Sequence, residues 1–376
     1  MSSLDGAAIH QVTAGFAPAD AIADEARNIQ RVLRSWGCRS EIYSWSEYIH
    51  PWTRHECREL SEFDPSCCDL LVYHFSIGSP ATRMVLEQRC PRVMIYHNIT
   101  PSSYFRDYSR KIAHQLDGGR AELARIRGAF DLALAVSEYN RRELDALGYD
   151  RTAVLPFLFD PERLPQGPRE RIRARWYRRQ GLTTIFFVGR LVPNKRAEDL
   201  LRVFRFYQRF YNPRSRLVWV GSEGGMDLYF LDLQNLVGRL GIRHACFAGY
   251  VDPSELVSWY LAGDVFASMS EHEGFCVPIL ESFHFGRPVV AFRAAAVPET
   301  LGDAGLLLPS KDPELFAAAV DRVVNDGALR TELVARGRRR VAEEFGRERV
   351  ASILREHLLG VLERAPTTTS APPAGD

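Results

Sequence analysis

The sequence is poor in lysine, nearly balanced in charge and without a long apolar run. No uninterrupted hydrophobic stretch approaches the ~18 residues needed to cross a bilayer. The opening MSSLDGAAIHQV has neither the basic start nor the apolar core of a signal peptide, so a cytoplasmic location is expected. A net charge of +1 lacks the basic excess of a dedicated nucleic-acid binder, and no nucleic-acid partner is expected. The seven cysteines (38, 57, 67, 68, 90, 246 and 276) are odd in number and never spaced Cys-x-x-Cys. That argues against a disulfide framework or a structural zinc site and for reduced thiols packed as small hydrophobes. Nowhere does Asp-x-Asp occur, so the clustered carboxylates of a metal-bridged diphosphate site are missing. No strand candidate is followed by Gly-x-Gly-x-x-Gly, which makes a dinucleotide oxidoreductase a poor alternative. Of 48 basic residues only Lys111, Lys195 and Lys311 are lysine. Where any positive charge suffices this chain uses arginine, so each lysine is a departure.

What is present is a chain of 376 residues, 46% hydrophobic and 25% charged, long enough for two domains with sizeable cores. Short apolar runs alternate with amphipathic stretches. In the first half the strand candidates are 8–12, 41–43, 70–74, 93–97 and 132–136, with a helical pattern over 20–36 closed by Gly37. The second half repeats the pattern at 184–188, 216–220, 245–248, 265–268, 289–292 and 305–308. Strands separated by helices imply parallel βαβ units covered on both faces. The expected class is therefore α/β: two Rossmann-like, doubly wound parallel-sheet domains in tandem. Four prolines and a glycine in 156–170 mark the join, giving domains 1–165 and 166–345. A last helical segment spans 346–364, and 365–376 reads as a disordered tail.

The strongest chemical signal follows the strand ending at Val188. Gly189-Arg190-Leu191-Val192-Pro193-Asn194-Lys195 leads into a helix, placing two cations five residues apart at the carboxyl edge of a parallel sheet, where such sheets bind ligands. Arginine offers phosphate a planar fork and lysine a compact point charge. A second loop, Ser270-Glu271-His272-Glu273-Gly274-Phe275-Cys276-Val277-Pro278, opens a short helix at the same edge, with Pro278 suited to its first turn. The free amides from Gly274 to Val277 and the helix dipole attract anions. Glu273 and Glu281, eight positions apart, would repel a phosphate and suit sugar hydroxyls on either side of a diphosphate.

These residues resemble family 4 glycosyltransferases of GT-B fold. The likeness rests on GRLVPNK, VGSEGG, FAGYVDPSELVSWYLAGDVF, SEHEGFCVPILESFHFGRPVVAF, PETLGDAGLLL, AVSEYNRREL and VLPFLFDP, in order along nearly the whole chain. It implies two domains facing a central cleft, with the acceptor on the N-terminal domain and a nucleotide sugar on the C-terminal one. Residues 346–364 would pack back toward the N-terminal domain. It further implies that Arg190 and Lys195 bind the donor diphosphate, that Glu281 holds the ribose, and that Glu273 with the amides of Gly274, Phe275 and Cys276 holds the transferred sugar. Phe247–Val251 would line the base pocket, and His97, ending its strand, would contact the sugar. His74 is expected as a wall of the cleft.

The reading is thus a retaining, metal-independent hexosyltransferase, with a nucleotide sugar as co-substrate and no other cofactor. A carbohydrate or lipid-linked acceptor and a role in bacterial polysaccharide or glycoconjugate synthesis are expected. The loop Ala14–Asp20, with one glycine and a proline, departs from the glycine-rich loop of many relatives and leaves the acceptor open. The arginine-rich stretches 106–127 and 163–179 read chiefly as solvated helix faces, and leave open a peripheral contact at the inner membrane face. Competing readings are a sugar phosphorylase of similar fold and a non-catalytic two-domain sugar-binding protein.

Overall fold

The computed structural model describes residues 3–18, 20–179 and 181–364. The expected disordered tail, 365–376, lies outside them. The N-terminal sheet contains β1 (Ile9–Thr13), β2 (Ile42–Ser44), β3 (Arg58–Glu59), β4 (Leu70–Phe75), β5 (Arg92–Tyr96), β6 (Leu132–Ala135) and β7 (Thr152–Val154). Its order is β3-β2-β1-β4-β5-β6-β7. The C-terminal sheet contains β8 (Thr183–Val188), β9 (Ser215–Val220), β10 (Ala245–Gly249), β11 (Val265–Ser268), β12 (Val289–Phe292) and β13 (Leu306–Leu308), ordered β10-β9-β8-β11-β12-β13. All pairings between these strands are parallel. Strand order reverses between β1 and β4 and between β8 and β11, the switch points where doubly wound sheets open a crevice at their carboxyl ends.

The N-terminal domain carries α1 (Ala21–Ser35), α2 (Ala81–Glu87), α3 (Arg110–Arg125) and α4 (Glu138–Ala146). Beyond the join come α5 (Pro168–Arg178), α6 (Ala197–Phe210), α7 (Asp227–Leu240), α8 (Pro253–Ala262), α9 (Val277–His284) and α10 (Val297–Leu301). The last three are α11 (Pro313–Asn325), α12 (Gly327–Glu343) and α13 (Arg347–Leu362).

The central strands form because they are continuous apolar runs that helices can cover on both faces. Every residue of β4, LLVYHF, is buried. α1 starts where the Asp20 carboxylate accepts the amides of Ile22 and Ala23, and it buries Ile29, Val32 and Leu33. The arginine-rich stretch around α5 is anchored rather than free. Tyr177 stacks on Trp259 of α8 at 3.9 Å and 7°, and Ser254 donates to Glu170. α13 buries Val350, Leu354, Leu358 and Val361, and the Arg355 charge acts on the Cys38 thiol in the N-terminal domain. All seven cysteines are free. Among the described residues no helix is long and apolar enough to cross a membrane.

The strands expected from sequence lie within one or two residues of those observed. β3 and β7 were not anticipated: β3 is two charged edge residues and β7 three half-buried ones, so neither carries an apolar run.

Candidate active site

The loop after β8 is fixed by its neighbours. Trp219 Nε1 donates to Gly189 O at 3.0 Å, and Leu191 N to Ser222 O at 2.9 Å. Gly221, at φ 148°, packs so close that a Cβ there would meet Gly189 O at 2.0 Å, which only glycine allows. Pro193–Lys195 forms one 3-10 turn, and Arg196, left-handed at φ 53°, redirects the chain into α6. Asn194 is buried and ties this loop to the second one, donating from Nδ2 to His272 O at 2.9 Å and accepting the Glu271 amide at 2.9 Å.

This staple brings the two sequence motifs together. The Lys195 ammonium pairs with the Glu273 carboxylate, their side chains 18% and 8% exposed. Arg190, on the same loop as Lys195, is exposed, with its Nη2 at 3.4 Å from Gly224 O. Its charge reaches Asp20 at the start of α1, so the first loop of the N-terminal domain faces the cationic loop. Burial raises the Asp20 carboxyl, against its two capping amides.

α9 begins at Cys276, left-handed at φ 74° and without a side-chain cap. Among the described residues the amides of Gly274, Phe275 and Cys276 donate to no acceptor, leaving three N–H groups and the helix dipole at the crevice edge. Ala296 N reaches Glu273 O at 3.3 Å and Thr300 Oγ1 donates to Phe275 O at 2.5 Å, holding the loop in place. Glu281, one helical turn into α9, accepts from Tyr260 OH. Burial pushes its carboxyl up to about 7; the Tyr260 bond works against the shift and the Asp24 charge adds to it. Val251, half-buried, follows β10 on the same edge. The remaining acid of the loop, Glu271, serves the scaffold. Burial would raise it, but Arg196 at 2.6 Å and Lys311 at 2.5 Å outweigh that and hold it below its usual range.

The domains meet across this edge. A Cβ on Gly274 would lie 2.6 Å from His97 O and 2.8 Å from Asn98 Cβ, so the backbones touch. Asn98, at φ 83°, donates to Asn140 Oδ1 at 2.7 Å, and Asn140 donates to Gly274 O at 3.3 Å. Glu299 caps α4 from the opposite domain, accepting the amides of Glu138 at 2.6 Å and Tyr139 at 2.7 Å. His272 sits near the Tyr104 and Tyr139 rings, and burial, then the charges of Arg120 and Lys195, pushes it down to about 4.

His97 is at the crevice edge through its backbone, but its ring turns inward. Nε2 lies 3.0 Å from His74 Nδ1, and Nδ1 lies 3.3 Å from Glu25 Oε2. His74 is no wall of the cleft. It is fully buried, because it bridges His97 and Gln11 Oε1, the latter at 2.9 Å. Gln11 Nε2 donates to Ala26 O, so Gln11 presents its oxygen and His74 Nε2 must donate. His74 Nδ1 then accepts from His97 Nε2, leaving His97 Nδ1 bare and 3.3 Å from the Glu25 carboxyl, which burial keeps protonated. The chain is neutral throughout: burial pushes Glu25 up to about 8, His74 down to about 3 and His97 well below its usual value.

Residues 168–340, which hold both cationic and acidic loops, match the family model for glycosyl transferases group 1. That match covers under half of the chain and lies in its second domain. The matched chain is 30% identical over 216 residues to O-antigen chain mannosyltransferase B of Escherichia coli, covering 55% of each. It is 32% identical over 244 residues to D-inositol 3-phosphate glycosyltransferase of Geodermatophilus obscurus, 62% of this chain and 53% of that protein. The chain thus spans about half the length of the curated relatives it matches. Anabaena HepE, solved in complex with UDP and glucose, superposes with a TM-score of 0.72 at 16% identity, over 94% of this chain and all of that one. Sucrose-phosphate synthase of Thermosynechococcus elongatus gives 0.73 at 16%, over 95% of this chain and 100% of that one. The two parallel sheets and these neighbours show a GT-B fold.

Asn140, Asn194, His272 and Glu299 were not singled out as site residues from sequence. Asn194 and His272 stand inside quoted motifs, and Glu299 inside PETLGDAGLLL. Asn140 stands inside AVSEYNRREL, but its partners, Asn98 and Gly274, lie 42 and 134 residues away.

Proposed function

We propose that the chain is a glycosyltransferase that moves a hexose from a nucleoside-diphosphate sugar to a carbohydrate or lipid-linked acceptor. In this reading configuration is retained at the anomeric carbon and no metal ion is needed. One observation carries it: Lys195 pairs with Glu273 next to the three open amides at the start of α9, and Arg190 stands exposed on the same loop as Lys195. Cations and a helix N-terminus suit a departing diphosphate, and neighbouring carboxylates suit hydroxyls. Arg190 and Lys195 would take the diphosphate, Glu281 the ribose, and Glu273 with Gly274, Phe275 and Cys276 the transferred sugar. Val251 would border the base and His97 the sugar through its strand-end backbone. The complexes of HepE with UDP and with UDP-glucose favour a nucleotide-sugar donor, and the O-antigen chain named for one curated relative favours bacterial polysaccharide or glycoconjugate synthesis.

The test is turnover of UDP-, GDP- and ADP-sugars by purified protein, with products read by mass spectrometry. Nucleoside diphosphate released with a new glycoside supports the proposal. Hexose 1-phosphate formed from a glycoside and phosphate would mean a phosphorylase, and thermal protection without turnover would mean a binding protein.

A further inference from the structure

A cleft of about 570 Å³ lies on the opposite edge of the C-terminal sheet from the candidate active site. Its floor is Asp264, immediately before β11, and Gly286–Pro288, immediately before β12, which are the amino ends of strands whose carboxyl ends face the donor crevice. Arg178, Arg287, Arg330 and Arg338 line it. Arg330, Val334 and Arg338 follow at four-residue spacing on one face of α12, and Arg178 ends α5.

The arginines are short of counter-charge. Among the described residues none of the four is in an ion pair with a carboxylate. Arg287 donates to Phe285 O and Gly263 O at 2.9 Å each, Arg330 to Val324 O at 2.8 Å, and Arg178 to Leu261 O, all neutral acceptors. Asp264 is already engaged, accepting Thr184 N at 2.7 Å. Burial, with the charges of Arg178, Arg338 and Arg330, pulls the Arg287 guanidinium down to about 10 against Asp264. Elsewhere on α12 Arg336 pairs with Glu332 and Asp303 and Arg340 with Glu344, while Arg339 is exposed to solvent. What marks the cleft is that four guanidinium groups without carboxylate partners converge on one cavity. Such groups offer planar, bidentate donors to phosphate oxygens. The volume exceeds what a bare phosphate ion fills and falls in the range of small-molecule sites.

We propose that this cleft is a second anion site, separate from the donor crevice, that binds a phosphorylated ligand of two or more negative charges through Arg178, Arg287, Arg330 and Arg338. The phosphate can come from a soluble metabolite or from a lipid headgroup. The outward face of the adjoining α5 exposes Ile172 and Trp176, 65% and 59% exposed, among arginines.

The experiment is calorimetric titration of the full chain with pyrophosphate, using two double variants. Wild type is expected to show two sites. Arg330→Ala with Arg338→Ala, both exposed and without carboxylate partners, should weaken one site at least about tenfold per guanidinium and leave turnover of donor unchanged. Arg190→Ala with Lys195→Ala should remove the other site, so failure of the crevice reading and failure of this one are separable. If the Arg330/Arg338 double variant binds pyrophosphate as wild type does, or if Arg190/Lys195 removal abolishes all binding, the second site does not exist. Co-sedimentation with phosphatidylglycerol-containing vesicles, absent with phosphatidylcholine alone and lost in the Arg330/Arg338 variant, identifies a lipid source. Pyrophosphate binding without co-sedimentation identifies a soluble ligand.

Discussion

The Lys195 ammonium rests on the Glu273 carboxylate, and both side chains are largely shielded at the carboxyl edge of the C-terminal sheet. The pair makes two kinds of loss separable. Lys195→Ala leaves a buried acid unmatched, which costs about 1–3 kcal/mol of stability. Arg190→Ala, at an exposed position, should cost within ~0.5 kcal/mol. Both should lower turnover by roughly 10²–10³, because each removes charge that would stabilise the leaving diphosphate. Lys195→Met combined with Glu273→Gln should recover the stability and not the rate. Lys195→Arg should also be impaired, since a fork does not replace a compact ammonium. Urea denaturation alongside initial rates decides it; near wild-type rates in folded single variants would sink the diphosphate assignment.

Glu281 gives a pH signature. Its carboxyl is pushed up to about 7, chiefly by burial, and a proton there competes with the ribose hydroxyls for the same oxygens. Donor affinity should therefore be full above about pH 7 and fall as pH drops through it, by at most about tenfold per unit. Tyr260→Phe removes a bond that favours the ionised form, so it should move this midpoint upward. Glu281→Gln should flatten the dependence and raise donor KM by roughly 10–150-fold with a smaller effect on kcat. Glu273→Gln should do the reverse. A 2′-deoxy donor should be penalised by wild type and much less by Glu281→Gln. An unchanged penalty would give the ribose to another residue.

Central strands such as β4 and β8 were legible because a buried parallel strand is a continuous apolar run, whereas β3 and β7 had no such run to show. The site loops were legible as motifs because a phosphate-facing turn needs glycine, cations and a helix start within a few residues. Their pairing was not. Lys195 meets Glu273 through Asn194 and the backbone of the second loop, a tertiary contact that no local spacing encodes. His97 shows the same division. Its place at the end of β5 follows from strand period, while its ring orientation depends on Glu25 and His74, which the fold brings from other elements. The cap that Glu299 places on α4 is legible only once both domains are in place.

Excess EDTA should leave turnover intact. In the proposed reading the cations of the β8 loop and the α9 N-terminus would take the role of a bridging metal, and the sequence supplies no Asp-x-Asp beside them. The ligand-type atoms of Glu25, His74 and His97 do lie within 4.8 Å of one another, but the Gln11–His74–His97 hydrogen bonds and the His97–Glu25 contact at 3.3 Å account for them. Activity lost in chelator and restored by Mg²⁺ or Mn²⁺ would overturn metal independence.

That neutral chain makes its own prediction. Glu25 is fully buried and its carboxyl rises from an ordinary 4.5 to about 8, mainly through burial. In the unfolded chain the same acid loses its proton near its ordinary value. Between those two values the unfolded state binds fewer protons than the folded one, so stability falls as pH rises, by about 1.4 kcal/mol per unit at most, and levels off above about pH 8. Glu25→Gln has nothing to titrate, and its amide can still donate to His97 Nδ1. Its unfolding free energy should therefore lack this slope and exceed the wild-type value progressively from about pH 5 toward about pH 8. Glu25→Leu removes the donor as well and should lose about 1–3 kcal/mol by leaving His97 Nδ1 buried without a partner. Urea titrations of the three proteins across that interval measure the difference directly. Parallel pH profiles for wild type and Glu25→Gln would mean that Glu25 is ionised in the fold, and the proton order along Gln11, His74 and His97 would have to run the other way.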